Sequence, residues 1–161
     1  MVGVVCRRQR ERGVRGADSA LVATIAADAL GPQHVHVVLM PSRYSSDHSI
    51  ADAMDLVSAQ GLDAVTLPIE DVHQAFAATL TTTPEGGPVG LTDENLQSRI
   101  RGVLLMARAN ANGWMVLTTG NKSESAVGYT TLYGDTAGAF SVIRDVYKTR
   151  VYELCRWRNA G

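Results

Sequence analysis

The stretch "GADSALVATIAADALGPQHVHVVLMP", residues 16–41, decides what kind of sheet this chain builds. From Ser19 to Leu30, apolar and alanine positions recur at helical spacing and stop at Gly31-Pro32, a pair that terminates helices. "HVHVVLMP", residues 34–41, is β-branched and ends in proline, as a strand buried in a parallel sheet does. A helix feeding an apolar strand is one step of a repeating α/β unit, and the same step recurs downstream.

"SIADAMDLVSAQG" reads as a second helix, with Ser49 as its cap, Ile50, Met54 and Val57 along one face, and Gly61 closing it. "LDAVTLPIE" is a further apolar strand and "DVHQAFAATL" a further helix. The proline, glycines and threonines of residues 81–95 mark a long loop, which in a compact domain is usually functional or disordered. From Thr92 a capped helix is expected, with Leu96, Ile100, Leu104 and Leu105 as its core stripe. "WMVLTT", residues 114–119, gives another strand, a polar segment with glycines follows it, and "VYKTRVYELCRW" a last helix. Alternating strands and helices predict an α/β fold with a parallel sheet and helices on both faces. Ligands in such sheets sit beyond the carboxyl ends of the strands. Three polar segments fall there: 16–19, 40–46 and 118–124.

Upstream of Gly16 the pattern breaks. Residues 7–15 hold five arginines and one glutamate, where a strand leading into a phosphate turn would be apolar. Residues 1–15 are therefore read as an aberrant arginine-rich segment, and only "MVGVV" in it is apolar enough to supply the missing strand. A change of reading frame upstream of Gly16 would explain such a junction.

The 161 residues suit one domain with a substantial core, and 45% hydrophobic with 19% charged residues is ordinary globular composition. The net charge of −1 hides an asymmetry, since the five N-terminal arginines leave ten basic against fifteen acidic side chains in the remainder. An acidic body argues against nucleic acid as a partner. No apolar run reaches the ~18–20 residues of a membrane span, and no secretion signal is expected, so a cytoplasmic location is the default. Cys6 and Cys155 form no CxxC pair and read as plain thiols. His34 and His36 would share one face of a strand, but no third ligand is spaced to join them, so strand histidines are expected rather than a metal site; His48 and His73 are equally weak signals.

Gly16, Ala17, Asp18 and Ser19 at a helix start offer backbone N–H groups, a hydroxyl and the positive end of the helix dipole, which favour phosphate. Asp18 would repel that anion unless a cation such as magnesium bridges them. From these four residues alone, simple capping by Asp18 or Ser19 is the better reading. Glu124, just after the strand at 114–119, is the acid that can share the metal, and Lys148 on the last helix can reach phosphate oxygens. Asn95 and Arg99 share one helix face, as do Gln97 and Arg101, and both arginines are expected to be solvated. Residue types and spacing thus reach a magnesium-dependent nucleotide site.

Longer strings carry a resemblance. "MPSRYSSDHSIADA" (40–53), "ENLQSRIRGVLLMARAN" (94–110), "LTTGNKSESAVGYTTLYGDTAGAFSVIRDVYKT" (117–149) and "ELCRWRN" (153–159) look like the synthetase domain of glutamine-dependent NAD synthetase, an ATP pyrophosphatase. The resemblance covers nearly everything from Gly16 to Asn159. It implies a Rossmann-like three-layer fold of the adenine nucleotide alpha hydrolase type, with residues 16–161 a partial synthetase domain. The implied chemistry is adenylation of the nicotinate carboxylate of deamido-NAD by ATP, then attack by ammonia to give NAD, AMP and pyrophosphate. Carried over residue by residue, Asp18 and Glu124 bind Mg2+ and Lys148 joins them in catalysis. Gly16, Ser19, Met40, Thr119 and Lys148 contact ATP or pyrophosphate, and Asn95, Arg99 and Asp135 contact deamido-NAD. The family also implies a homodimer or larger homo-oligomer and a glutaminase domain supplying ammonia, which these residues do not contain. The family's phosphate turn is Ser-Gly-Gly-x-Asp-Ser, whereas Val14, Arg15, Gly16, Ala17, Asp18 and Ser19 stand here. Arg15 occupies a place where close backbone approach to phosphate calls for glycine. That departure motivates the alternative of an inactive remnant that binds nucleotide or pairs with a full-length relative.

Overall fold

The structure is a computed structural model that describes residues 2–6 and 16–160. Val14 and Arg15, and with them the altered entrance of the phosphate turn, lie outside the described residues. The elements run β1 (Val2–Cys6), α1 (Ala17–Leu30), β2 (Val35–Leu39), α2 (Asp47–Gln60), β3 (Asp63–Thr66), α3 (Glu70–Leu80), α4 (Leu91–Asn112), β4 (Met115–Thr118), α5 (Lys122–Ala126), β5 (Phe140–Ser141) and α6 (Lys148–Asn159). The five strands form one sheet in the order β3-β2-β1-β4-β5, every neighbour parallel. The apolar segment at Val2–Cys6 thus occupies the centre, paired with β2 on one edge and β4 on the other.

Period-two alternation in β2 sorts its side chains between two cores. Val35, Val37 and Leu39 pack with Leu21, Val22 and Ala26 of α1, Val57 of α2 and Val151 of α6. Val38, and Met40 just beyond the strand, pack on the opposite face with Ile100, Leu105 and Ala109 of α4, Val116 of β4 and Ile69. Both faces of the sheet are covered, which is why β2 reads as a continuous apolar run. Each fully buried Val or Leu contributes roughly 1.5–3 kcal/mol, and Val22, Val35, Val37, Val38 and Val151 are completely buried.

The expected helix stripes hold with adjustments. Ile100 and Leu105 are buried while Leu96 and Leu104 pack at the margin of that core. Helix α2 begins earlier than expected: Ser46 is its N-cap residue and Ser49 sits inside the first turn, the two hydroxyls 2.8 Å apart. Met54 is exposed. His34 lies in a short 3-10 turn rather than in the strand. His36 Nδ1 donates to the Asp63 carboxylate at 2.8 Å, and its ring stacks on Trp114 with ring centroids 4.0 Å apart and planes 4° from parallel. The β1 residue level with His36 and Val116 is Gly3.

Elements α5 and β5 have no counterpart in the periodicity reading. Five and two residues long, they are too short to show a period. One junction depends on glycine for close approach. A Cβ on Gly134 would fall 2.1 Å from the Ser98 hydroxyl, and one on Gly102 would fall 2.8 Å from the Tyr133 carbonyl oxygen. Helix α4 and the loop before β5 therefore meet backbone to side chain with no space for a methyl group.

Candidate functional site

Helix α1 starts from Gly16, whose φ of 80° is left-handed backbone, and no side chain caps the helix. Ser19 does not cap it either; its hydroxyl donates to the Gly16 carbonyl at 3.0 Å. The first-turn N–H groups and the helix dipole are thus directed at the carboxyl end of the sheet, a favourable place for an anion.

Asp18, in that first turn, is buried. Its Oδ1 accepts from Asn121 Nδ2 at 3.1 Å, and its Oδ2 pairs with the Lys148 ammonium at the start of α6. Asn121 in turn begins α5 with a capping box: its Oδ1 accepts from the Glu124 N–H at 3.0 Å while its own N–H donates to Glu124 Oε2 at 3.1 Å. Asp18, Lys148 and Glu124 are brought to one place, with Asn121 as the link. The Lys148 backbone N–H donates to the Ser123 hydroxyl at 3.0 Å, tying α6 to α5 as well.

A cleft of about 470 Å³ opens beside this cluster and is lined by Gly16, Ser19, Met40, Asp52, Arg101 and Cys155 among others. Gly16, Ser19 and Met40 therefore share a wall. Thr119 does not line the cleft; it borders a smaller pocket with Asp135, Gly134 and Arg101. Arg101 touches both cavities and donates from Nε to the Met40 carbonyl at 3.0 Å. Burial, reinforced by the negative charge of Asp18 and partly offset by Lys148, pushes the Cys155 thiol above its ordinary pKa.

Asn95, Arg99 and Asp135 converge on the loop between α5 and β5. The Thr131 hydroxyl donates to Asn95 Oδ1 at 2.8 Å and its N–H to Asp135 Oδ2 at 2.9 Å. Arg99 Nε donates to the Leu132 carbonyl at 3.2 Å, and the Ser98 hydroxyl to Asp135 Oδ1 at 3.2 Å. Tyr133, at the tip, holds a φ of 61°. Arg99 and Arg101 were expected to be solvated; Arg99 is exposed, as expected, while Arg101 is half-buried against the Met40 carbonyl.

Two features escaped the sequence reading. Asn121 was visible as an Asn-x-x-Glu capping signature but passed as part of a polar loop. The second is a network between α3 and α4: buried His73 meets Asp93 through Nε2 at 2.5 Å, and Gln97 donates to the other Asp93 oxygen at 2.9 Å. Arg43, from the loop that walls the cleft, lies 3.5 Å from His73 and pairs with Glu70 at 2.6 Å. Of these contacts only Asp93 with Gln97, four apart on α4, follows from spacing; the partners His73 and Arg43 come from other elements.

Among the described residues no cluster of three His, Cys, Asp or Glu side chains is placed to hold a metal ion. Two carboxylates with oxygen donors, one of them already balanced by a lysine, suit a hard cation that takes its other ligands from phosphate and water. That is the habit of magnesium in nucleotide sites. Among the same residues no helix is long and apolar enough to cross a membrane.

The family model described as NAD synthase matches residues 13–161. The glutamine-dependent NAD(+) synthetase of Rhodobacter capsulatus is 55% identical over 145 residues, which is 90% of this chain and 26% of that protein. A solved glutamine-dependent NAD+ synthetase from Acinetobacter baumannii, in complex with ADP, superposes with a TM-score of 0.88 at 42% identity, covering 99% of this chain and 28% of the other. An NH3-dependent NAD synthetase from Campylobacter jejuni superposes at 0.84 with 32% identity, covering 98% and 63%. The chain spans about a quarter of the length of the curated relatives it matches.

Proposed function

The chain belongs to the NAD synthase family, and from that membership we propose that it carries the ATP-handling part of a carbon–nitrogen ligase that converts deamido-NAD to NAD. Residues 16–161 are part of the synthetase domain, and residues 1–15 are the aberrant arginine-rich segment, whose last two residues, Val14 and Arg15, take the first two places of the family's phosphate turn. One observation carries the reading: Asp18, Lys148 and Glu124, from three separate elements, converge at the N-terminus of α1 beside a cleft of nucleotide size.

In this reading Gly16 and Ser19 present the phosphates to the start of α1, and Met40 lines the cleft that takes the rest of ATP. Lys148 moves its ammonium from Asp18 to phosphoryl oxygens as negative charge grows on them. Asp18 and Glu124 hold Mg2+, which when bound neutralises phosphate charge as pyrophosphate leaves. Thr119 stands at the pyrophosphate side. Asn95, Arg99 and Asp135 hold deamido-NAD on the facing loop, so that its carboxylate attacks the α-phosphorus and ammonia then displaces AMP. Self-association as a homodimer or larger homo-oligomer is part of the same proposal, with ammonia supplied free or by a glutaminase elsewhere.

Pyrophosphate release and NAD formation, given ATP, magnesium, deamido-NAD and an ammonium salt, test the reading directly. Both products are expected. A folded chain that binds ATP and releases neither product supports the second reading, a nucleotide-binding remnant, for which Arg15 in place of the turn's glycine is the specific motive. Glu124→Ala should abolish the magnesium-dependent part of ATP affinity under either reading, and unchanged affinity would refute the metal assignment.

A further inference from the structure

We infer that Asn121 is a positioning residue that fixes the carboxylates of Asp18 and Glu124 relative to each other, and that its amide nitrogen is present for Asp18 rather than for the helix it caps. The inference rests on the nucleotide reading above for its purpose but on hydrogen-bond chemistry for its content.

Asn121 is completely buried. Its carbonyl oxygen accepts from the Glu124 N–H at 3.0 Å, and a backbone N–H can only donate. The orientation of the amide is therefore set by the cap, and the NH2 group is forced toward Asp18, 103 residues away in the chain, which it reaches at 3.1 Å. Capping alone asks for nothing of the kind. Serine or aspartate would accept the same N–H about as well as asparagine. Asparagine differs in adding a neutral donor on the far side of the cap. That donor occupies Asp18 Oδ1 without bringing a charge, which turns Oδ2 toward the cationic side of the site, where Lys148 stands. The same residue's N–H holds Glu124 Oε2 at 3.1 Å. One side chain and one peptide group thus orient two acids that belong to different elements of the fold. Groups that orient metal-binding carboxylates in this way typically change metal affinity by about 10–100-fold when removed.

Two variants separate positioning from folding. Asn121→Ser keeps the cap and loses the donation. ATP affinity is measured by calorimetry with EDTA and with magnesium, on the full chain. Affinity without metal should stay within about twofold of the parent, while the enhancement by magnesium should fall about 10-fold or more. An undiminished enhancement in a folded Asn121→Ser overturns the inference.

Asn121→Asp keeps the cap and places a third carboxylate between the first two. Mn2+ alone, without nucleotide, should then raise the melting temperature of this variant and leave that of the parent unchanged. No shift in Asn121→Asp overturns the inference whatever the nucleotide results. A parent whose ATP affinity ignores magnesium, together with an Mn2+-stabilised Asn121→Asp, would sink the nucleotide reading and leave the placement of Asn121 standing.

Discussion

Lys148→Met, alone and combined with Asp18→Asn, gives the sharpest test of the cluster at the start of α1. Methionine keeps most of the lysine stem and removes its charge. In the parent protein the ammonium faces a carboxylate whose side chain is only 9% exposed, while the lysine side chain is 23% exposed. Removing one partner of a fully buried pair costs ~3–5 kcal/mol, because the remaining charge is left uncompensated. Two features reduce that figure here: water reaches the lysine, and Asp18 keeps the hydrogen bond from Asn121. A loss of about 2–3 kcal/mol follows, which in a domain of this size lowers the melting temperature by roughly 4–12 °C. On an Asp18→Asn background no anion remains to be stranded, so the second substitution should cost far less. Scanning calorimetry and urea denaturation of the four proteins would give the coupling, expected at about 1–3 kcal/mol. Losses that add to within ~0.5 kcal/mol would show that Lys148 and Asp18 do not balance each other, and would refute the electrostatic account of the site.

Other expectations follow from the neighbouring structure. Gly134→Ala should destabilise by ~1–3 kcal/mol, since its new Cβ would press on Ser98; a melting temperature equal to that of the parent would show that the junction of α4 with the loop is looser than described. Asp93→Ala strips buried His73 and Gln97 of their shared acceptor and should cost ~1–3 kcal/mol in chemical denaturation. Cys155, its pKa raised by burial and by Asp18, holds less thiolate at mildly alkaline pH than a free cysteine. It should be alkylated more slowly, and more slowly still with ATP in the cleft; peptide mass spectrometry after iodoacetamide labelling reads both effects, and alkylation at the rate of a free thiol would contradict the first.

The architecture was legible because it is written in local periods. The α1 stripe, the unbroken apolar run of β2 and the apolar stripe of α4 each carry enough residues to declare themselves, and their alternation specifies a parallel sheet; the side-chain cap expected at Thr92 is not there, because α4 starts at Leu91 from Gly90. The site was legible in part. Asp18, Glu124 and Lys148 could be named from residue type and from resemblance, yet their convergence runs through contacts of Asp18 with Asn121 and Lys148, 103 and 130 positions away, which no spacing rule encodes. Short elements were lost for a related reason: α5 and β5 exist through tertiary contacts. Arg101 of α4 departed from expectation because base rates describe an average helix surface, and here the loop after β2 brings the Met40 carbonyl against it.

The stacked rings of His36 and Trp114 bear on how the two neighbours of the central strand are held together. His36 stands on β2 and Trp114 immediately precedes β4, the two strands that flank β1, and the β1 residue level with His36 is Gly3. A slip by one residue would exchange the faces of the strand, and a slip by two would bring Val5 or Met1 level with His36. Along "VGVVC" the one residue without a side chain, Gly3, is the one level with His36. The stacked pair is thus a side-chain tie between β2 and the residue before β4, joining the two neighbours of β1 independently of the backbone pairing that β1 itself provides.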